Sequence, residues 1–81
     1  MTNALPSLSP VLHDIHVSVV SAEEASLGVA EFWAGDRMIG FTLVDEGDLT
    51  LRIAPSPDGV VLGAHALAEA LAEANRLLAL Y

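Results

Sequence analysis

The chain contains no cysteine and no lysine. Without cysteine there is no disulfide scaffold, no thiolate metal site and no cysteine nucleophile. Arg37, Arg52 and Arg76 are the only bases, set against eleven acidic residues, and the formal charge is −8. A surface so poor in cations cannot displace the counterions of nucleic acid or hold an anionic bilayer, so neither is expected as a partner. Aromatic residues are scarce: Phe32, Trp33, Phe41 and Tyr81. Long apolar runs are missing too. The longest apolar stretch lies near the C-terminus, where Glu69, Glu73 and Arg76 interrupt it, and it cannot span a bilayer. Met1–Pro10 holds no base, two prolines and no continuous apolar segment. It reads as a poorly ordered tail rather than a secretory signal, and the expected location is the cytoplasm.

What is abundant is small and apolar. Hydrophobic residues make up 53% of the 81 residues, with thirteen alanines and thirteen leucines. Alanine buries little area, so that percentage overstates the core. A chain of this length hides only about 62–63% of its unfolded surface, and a partner subunit is an economical way to complete its core. The preference for Ala, Leu and Arg with no Lys suggests a GC-rich bacterial genome.

Residues 11–81 read as one small α+β domain. Val11–Val20 alternates, with Ile15, Val17 and Val19 on one side and Asp14, His16 and Ser18 on the other, which predicts a half-buried strand. Ser21-Ala22-Glu23-Glu24 has capping-box spacing but supports only a single helical turn before Gly28. Leu27–Ala34 and Arg37–Val44 are strand-like runs joined by Gly35-Asp36, a two-residue hairpin signal. That loop sets Phe32 opposite Ile39, Ala30 opposite Phe41, Trp33 opposite Met38, Glu31 opposite Gly40 and Val29 opposite Thr42. A three-residue loop, Asp45-Glu46-Gly47, then pairs Leu43 with Leu49, Phe41 with Leu51 and Ile39 with Ile53. The predicted core face is therefore Phe32, Ile39, Phe41, Leu43, Leu49, Leu51 and Ile53. After the break at Pro55–Gly59, Ala64–Leu80 takes a helical period, with Leu67, Ala70, Leu71, Ala74, Leu77, Leu78 and Tyr81 on one stripe. His65, Glu69, Glu73 and Arg76 lie opposite. The expected fold is an antiparallel four-stranded meander, strand order 1-2-3-4, with this amphipathic helix on one face.

One helix leaves the other sheet face uncovered. That face is expected to carry Val29, Glu31, Trp33, Met38, Thr42, Val44, Thr50 and Arg52, a Trp–Met patch inside a charged rim. Apolar patches framed by polar residues mark association surfaces. Val29, Glu31, Trp33, Met38, Thr42, Thr50 and Arg52 are therefore the candidate interface of a homodimer. Cover by the N-terminal tail, through Leu5 and Leu8, is the plainer alternative.

Catalytic and metal chemistry find little support. His13, Asp14, His16 and His65 are the candidate ligands, but strand residues three apart point to opposite faces, so His13 and His16 do not converge. Asp14, His16 and Ser18 stand nearly 7 Å apart along one straight strand, too far apart for a triad. Asp45-Glu46-Gly47-Asp48 lacks the alternating ligand pattern of a calcium loop, and no glycine-rich phosphate loop is present. No cofactor and no catalytic residue are assigned.

The closing helix, ALAEALAEANRLLALY, resembles those of small antitoxin and immunity-type domains that place a meander before an acidic helix. The resemblance implies a basic protein partner met by an acidic surface, and it assigns no residue. The first expectation is a non-enzymatic interaction domain acting as a homodimer. The alternatives are an antitoxin or immunity-type protein and a small-ligand carrier using a pocket between helix and sheet or between subunits, which an enclosed cavity near Trp33 or Tyr81 would favour.

Overall fold

The computed structural model describes residues 11–57 and 59–81. The proposed tail over residues 1–10, and its return over the sheet, lie outside the described residues. Along the chain the elements are β1 (Val11–Leu12), β2 (His16–Ser18), α1 (Ala22–Ser26), β3 (Glu31–Ala34), β4 (Arg37–Asp45), β5 (Asp48–Ile53), β6 (Val61–Leu62) and α2 (Ala64–Leu78). β2, β3, β4 and β5 form an antiparallel sheet in that order, with α2 packed against one face. This is the α+β meander with a C-terminal helix that the sequence predicts.

The single strand expected over 11–20 is divided. Val11 and Leu12 pair in parallel with Val61 and Leu62, and the Gly63 N–H donates to the Leu12 carbonyl at 2.9 Å. Only His16–Ser18 joins the meander, opposite Trp33, Phe32 and Glu31. A Cβ at Gly63 would lie 3.0 Å from His13 Nδ1, so the close approach of the two segments uses the glycine. α1 is the expected short turn of helix. The Ser21 hydroxyl accepts the Glu24 N–H at 3.1 Å, and Gly28 ends the turn at φ +77°.

Both hairpins depart from the expected register, and the departures compensate. Around Gly35-Asp36 the pairs Ala34–Arg37 and Trp33–Met38 form as predicted, but the register then shifts, and Phe32 faces Gly40 while Glu31 faces Phe41. Ile39 is the extra residue of a β-bulge. The β4–β5 loop is one residue shorter than predicted, since Asp45 pairs with Asp48 and only Glu46 and Gly47 turn. Both have positive φ, 51° and 86°, the signature of a type I′ turn. Glu46 is an L-residue in the left-handed region, where asparagine is far better tolerated. Glu46→Asn is therefore expected to stabilise the fold by about 0.5–1 kcal/mol, read as a higher urea midpoint with an unchanged slope.

The added residue at Ile39 turns over the remainder of β4. Gly40, Thr42 and Val44 share the α2 side with Leu49, Leu51 and Ile53, while Phe41 and Leu43 move to the opposite side. Two core assignments, Phe41 and Leu43, are thereby corrected, and two more, Leu49 and Ile53, keep their side but are exposed because α2 does not reach them. The buried core is Val17, Ala30, Phe32, Ile39, Ala70 and Ala74, with Leu12, Ile15, Val19, Leu51, Leu62, Leu67, Leu71, Leu77 and Leu78 packed around it. Tyr81, expected on the helix stripe, is 65% exposed because α2 ends at Leu78.

The helix covers only part of its face. A helix is about 10–12 Å across with side chains, while four strands about 4.8 Å apart make a wider sheet. α2 sits over β2 and its neighbours, which leaves Leu27, Val44, Leu49 and Ile53 exposed at the β4–β5 side. Among the described residues, no helix is long and apolar enough to cross a membrane.

Candidate interaction surface

The sheet face opposite α2 is built by strand alternation. One row runs His16, Trp33, Met38; the next runs Ser18, Glu31, Phe41, Arg52; a third pairs Leu43 with Thr50. Val29, just before β3, is half-buried and alternates with Glu31. Trp33, Met38, Phe41 and Leu43 are all half-buried, so each keeps apolar surface toward solvent beside its neighbours. The face thus holds a tryptophan, a methionine, a phenylalanine and a leucine in adjacent positions.

Thr42 does not belong to it. The bulge turns Thr42 inward, where it is 1% exposed. Its hydroxyl accepts from the Ala30 N–H at 2.9 Å and donates to the Gly28 carbonyl at 2.7 Å. It thereby satisfies the chain segment that leads from α1 into β3. Val44 moves to the α2 side for the same reason and is 47% exposed there.

The polar frame also differs in detail. The predicted register would let Glu31 and Arg52 meet across Gly40, but Phe41 lies between them and Gly40 points the other way. Glu31 instead accepts the Trp33 indole N–H at 3.2 Å, which fixes the ring on the face. Arg52 reaches Asp45 at 3.1 Å, and Thr50 donates to the Leu43 carbonyl at 2.8 Å. Sequence reasoning missed Phe41 and Leu43 as members of this face. The readable signal was the alternative two-residue loop Glu46-Gly47, which sets Thr50 opposite Leu43.

An open groove of about 670 Å³ lies at the β2 edge, between α2 and β2 with the segment that leads into it. His13, Asp14, His16, Glu69 and Glu73 line it, so it lies between helix and sheet, one of the two places expected for a carrier's pocket, but it is open and neither Trp33 nor Tyr81 lines it. Arg76 grips Glu73 through both carboxylate oxygens, at 2.8 and 2.7 Å. Those hydrogen bonds hold the Glu73 carboxyl below its ordinary range and raise the guanidinium. Among the described residues, no three His, Asp or Glu side chains are grouped to hold a metal ion.

No protein-family model, no curated protein and no solved structure matches the chain.

Proposed function

We propose that the chain is a non-enzymatic interaction domain that works as a homodimer through the sheet face opposite α2, with the cytoplasm as its setting. The observation that carries this reading is the contiguity of Trp33, Met38, Phe41 and Leu43 on a face framed by Glu31, Thr50 and Arg52. An apolar centre with a polar rim is the usual anatomy of an interface, and buried Trp supplies much of the binding energy where it occurs. The Glu31–Trp33 hydrogen bond supports the reading, because an indole held in place loses less freedom on association.

Sedimentation equilibrium tests it. The contact through this face is expected to be lost when Trp33→Ala and Met38→Ala are combined, so that the assembled mass falls, with folding retained by circular dichroism. Unchanged mass and unchanged stability of that variant would overturn the proposal.

A second reading has its own support in the hairpin tip, where Asp45, Glu46 and Asp48 cluster in solvent. An antitoxin or immunity-type protein would use such charge to meet a basic partner. A monomeric chain that binds a strongly basic protein with a steep salt dependence, lost on neutralising these three acids, would favour this reading over the first.

A further inference from the structure

The free edge of β5 points to a second contact, made by the strand edge beside the face just described and sharing only its rim residues Thr50 and Arg52. β5 ends the sheet, with β4 on one side and no strand on the other among the described residues. The Ala54 N–H donates to the Ile39 carbonyl at 2.9 Å. By the alternation of an antiparallel ladder, Thr50 and Arg52 then turn their backbone groups toward β4, and Leu49, Leu51 and Ile53 turn theirs outward. Free edges are ordinarily blunted by a bulge, a proline or uncompensated charge. Asp48–Ile53 contains neither bulge nor proline, since the bulge lies on the β3 side of β4 and the prolines that follow β5 begin at Pro55, and its two charges, Asp48 and Arg52, are of opposite sign. On the α2 side of this edge stand Leu49 and Ile53, 37% and 46% exposed, beside Val44 and Leu27. On the other side stand Asp48, Thr50 and Arg52, whose charges cancel in a chain of charge −8. The strand's own side chains therefore add no net charge, although Asp45 and Glu46 lie at the adjoining turn, and two such acidic chains can approach along it.

We propose that β5 pairs antiparallel with β5 of a second copy, about a two-fold axis at Thr50, and joins two sheets into one. This register sets Asp48 opposite Arg52 of the partner subunit and Leu49 opposite Leu51 of the partner subunit, each twice, with Thr50 facing its own copy. The outward N–H and C=O groups of Leu49 and Leu51 meet their counterparts. The charge pairs occupy non-hydrogen-bonded positions, where facing Cα atoms are only about 4.5 Å apart. Arg52, which already holds its own Asp45 at 3.1 Å, gains a second carboxylate. Moving the axis to Leu51 would set Arg52 against Thr50 and Asp48 against Ala54, so the charges select the Thr50 axis. Leu27, Val44, Leu49 and Ile53 of both copies then adjoin as one apolar strip on the α2 side.

The experiment uses single-cysteine variants of the full chain, which has no cysteine of its own, in the Trp33→Ala/Met38→Ala background so that the open face contributes nothing. Under mild oxidation, Thr50→Cys is expected to give a disulfide-linked dimer, and Leu51→Cys much less. In the same background without cysteine, Asp48→Arg should weaken association about tenfold by opposing like charges twice, and Asp48→Arg/Arg52→Asp should restore it. Leu49→Pro should abolish it, since the lost N–H points away from β4; should that variant not fold, the exposed Asp48 substitution carries the test. A Thr50→Cys chain that stays monomeric, or an Asp48→Arg dissociation constant within about twofold of its parent, overturns the edge pairing. Association that survives Asp48→Arg and Leu49→Pro in the otherwise native chain but is lost with Trp33→Ala/Met38→Ala leaves the face reading standing and overturns this one. A native chain that is monomeric at every concentration overturns both.

Discussion

Thr42→Val is expected to lower the unfolding free energy by about 2–6 kcal/mol, since a buried group left without its partner costs about 1–3 kcal/mol and two are left here. The substitution keeps the shape of the side chain and removes only the hydroxyl. The Ala30 N–H loses its acceptor and the Gly28 carbonyl loses its donor, both in a site where Thr42 is 1% exposed. Neither group has water at hand to replace the bond. Gly28 cannot readily shift to find another partner. It sits at φ +77°, with the Val44 backbone and side chain immediately beyond it. Thr42→Ser keeps both hydrogen bonds and loses a methyl group, so its effect should be much the smaller. Urea unfolding of the three proteins side by side reads the difference. A Thr42→Val protein as stable as the parent would show that the hydroxyl contributes nothing to the junction between α1 and β3.

Gly40→Ala is expected to destabilise by about 2–3 kcal/mol, the range for overpacking a filled site. A Cβ at Gly40 would lie 2.5 Å from the Arg52 carbonyl oxygen and 3.3 Å from the Ile53 Cα, so the obstacle is backbone of β5 rather than a side chain that can swing away. Relief requires β5 to move off β4, which stretches the ladder that holds the edge strand in place. The same residue sits at the bulge, where Phe32 pairs with Gly40 and Ile39 is the extra residue, so crowding at Gly40 also bears on the local register. Thermal unfolding should show a lower midpoint. Exchange of the β5 amides that bond to β4 should rise more than exchange in α2. Equal protection across both elements would mean that the added methyl acts globally and not through the β4–β5 contact.

These two positions also show where sequence reading stops. The loop Gly35-Asp36, the alternation of Glu31–Ala34 and the pair Trp33–Met38 are local facts, and the structure contains them. The bulge at Ile39 is not local. It depends on Gly40 fitting beneath the Arg52 carbonyl, a contact between residues twelve apart in the sequence. A one-residue change of register sends every later side chain to the other face, which is why local patterning puts Thr42 on the open face and Phe41 and Leu43 in the core. On β5 the shortened turn offsets the bulge, so Leu49, Leu51 and Ile53 stay on the α2 side and Thr50 and Arg52 on the other. Thr50 and Arg52 keep their expected side for that reason, Trp33 and Met38 keep theirs because the bulge comes after them, and Thr42 is the exception.

The amino-acid sequence by itself determined the order of elements, the meander, the Ser21 cap and the amphipathic helix. Each rests on periodicity or turn chemistry within a few residues. Its lack of cysteine and lysine likewise removed whole classes of chemistry without reference to any fold. The tertiary structure alone decided which side of β4 each residue occupies, how Val11–Leu12 leaves the meander for β6, and how far α2 reaches across the sheet. Those outcomes depend on the width of a helix against the width of a sheet, and on backbones meeting at Gly40 and Gly63. Distances of that kind exist only once distant segments are brought together.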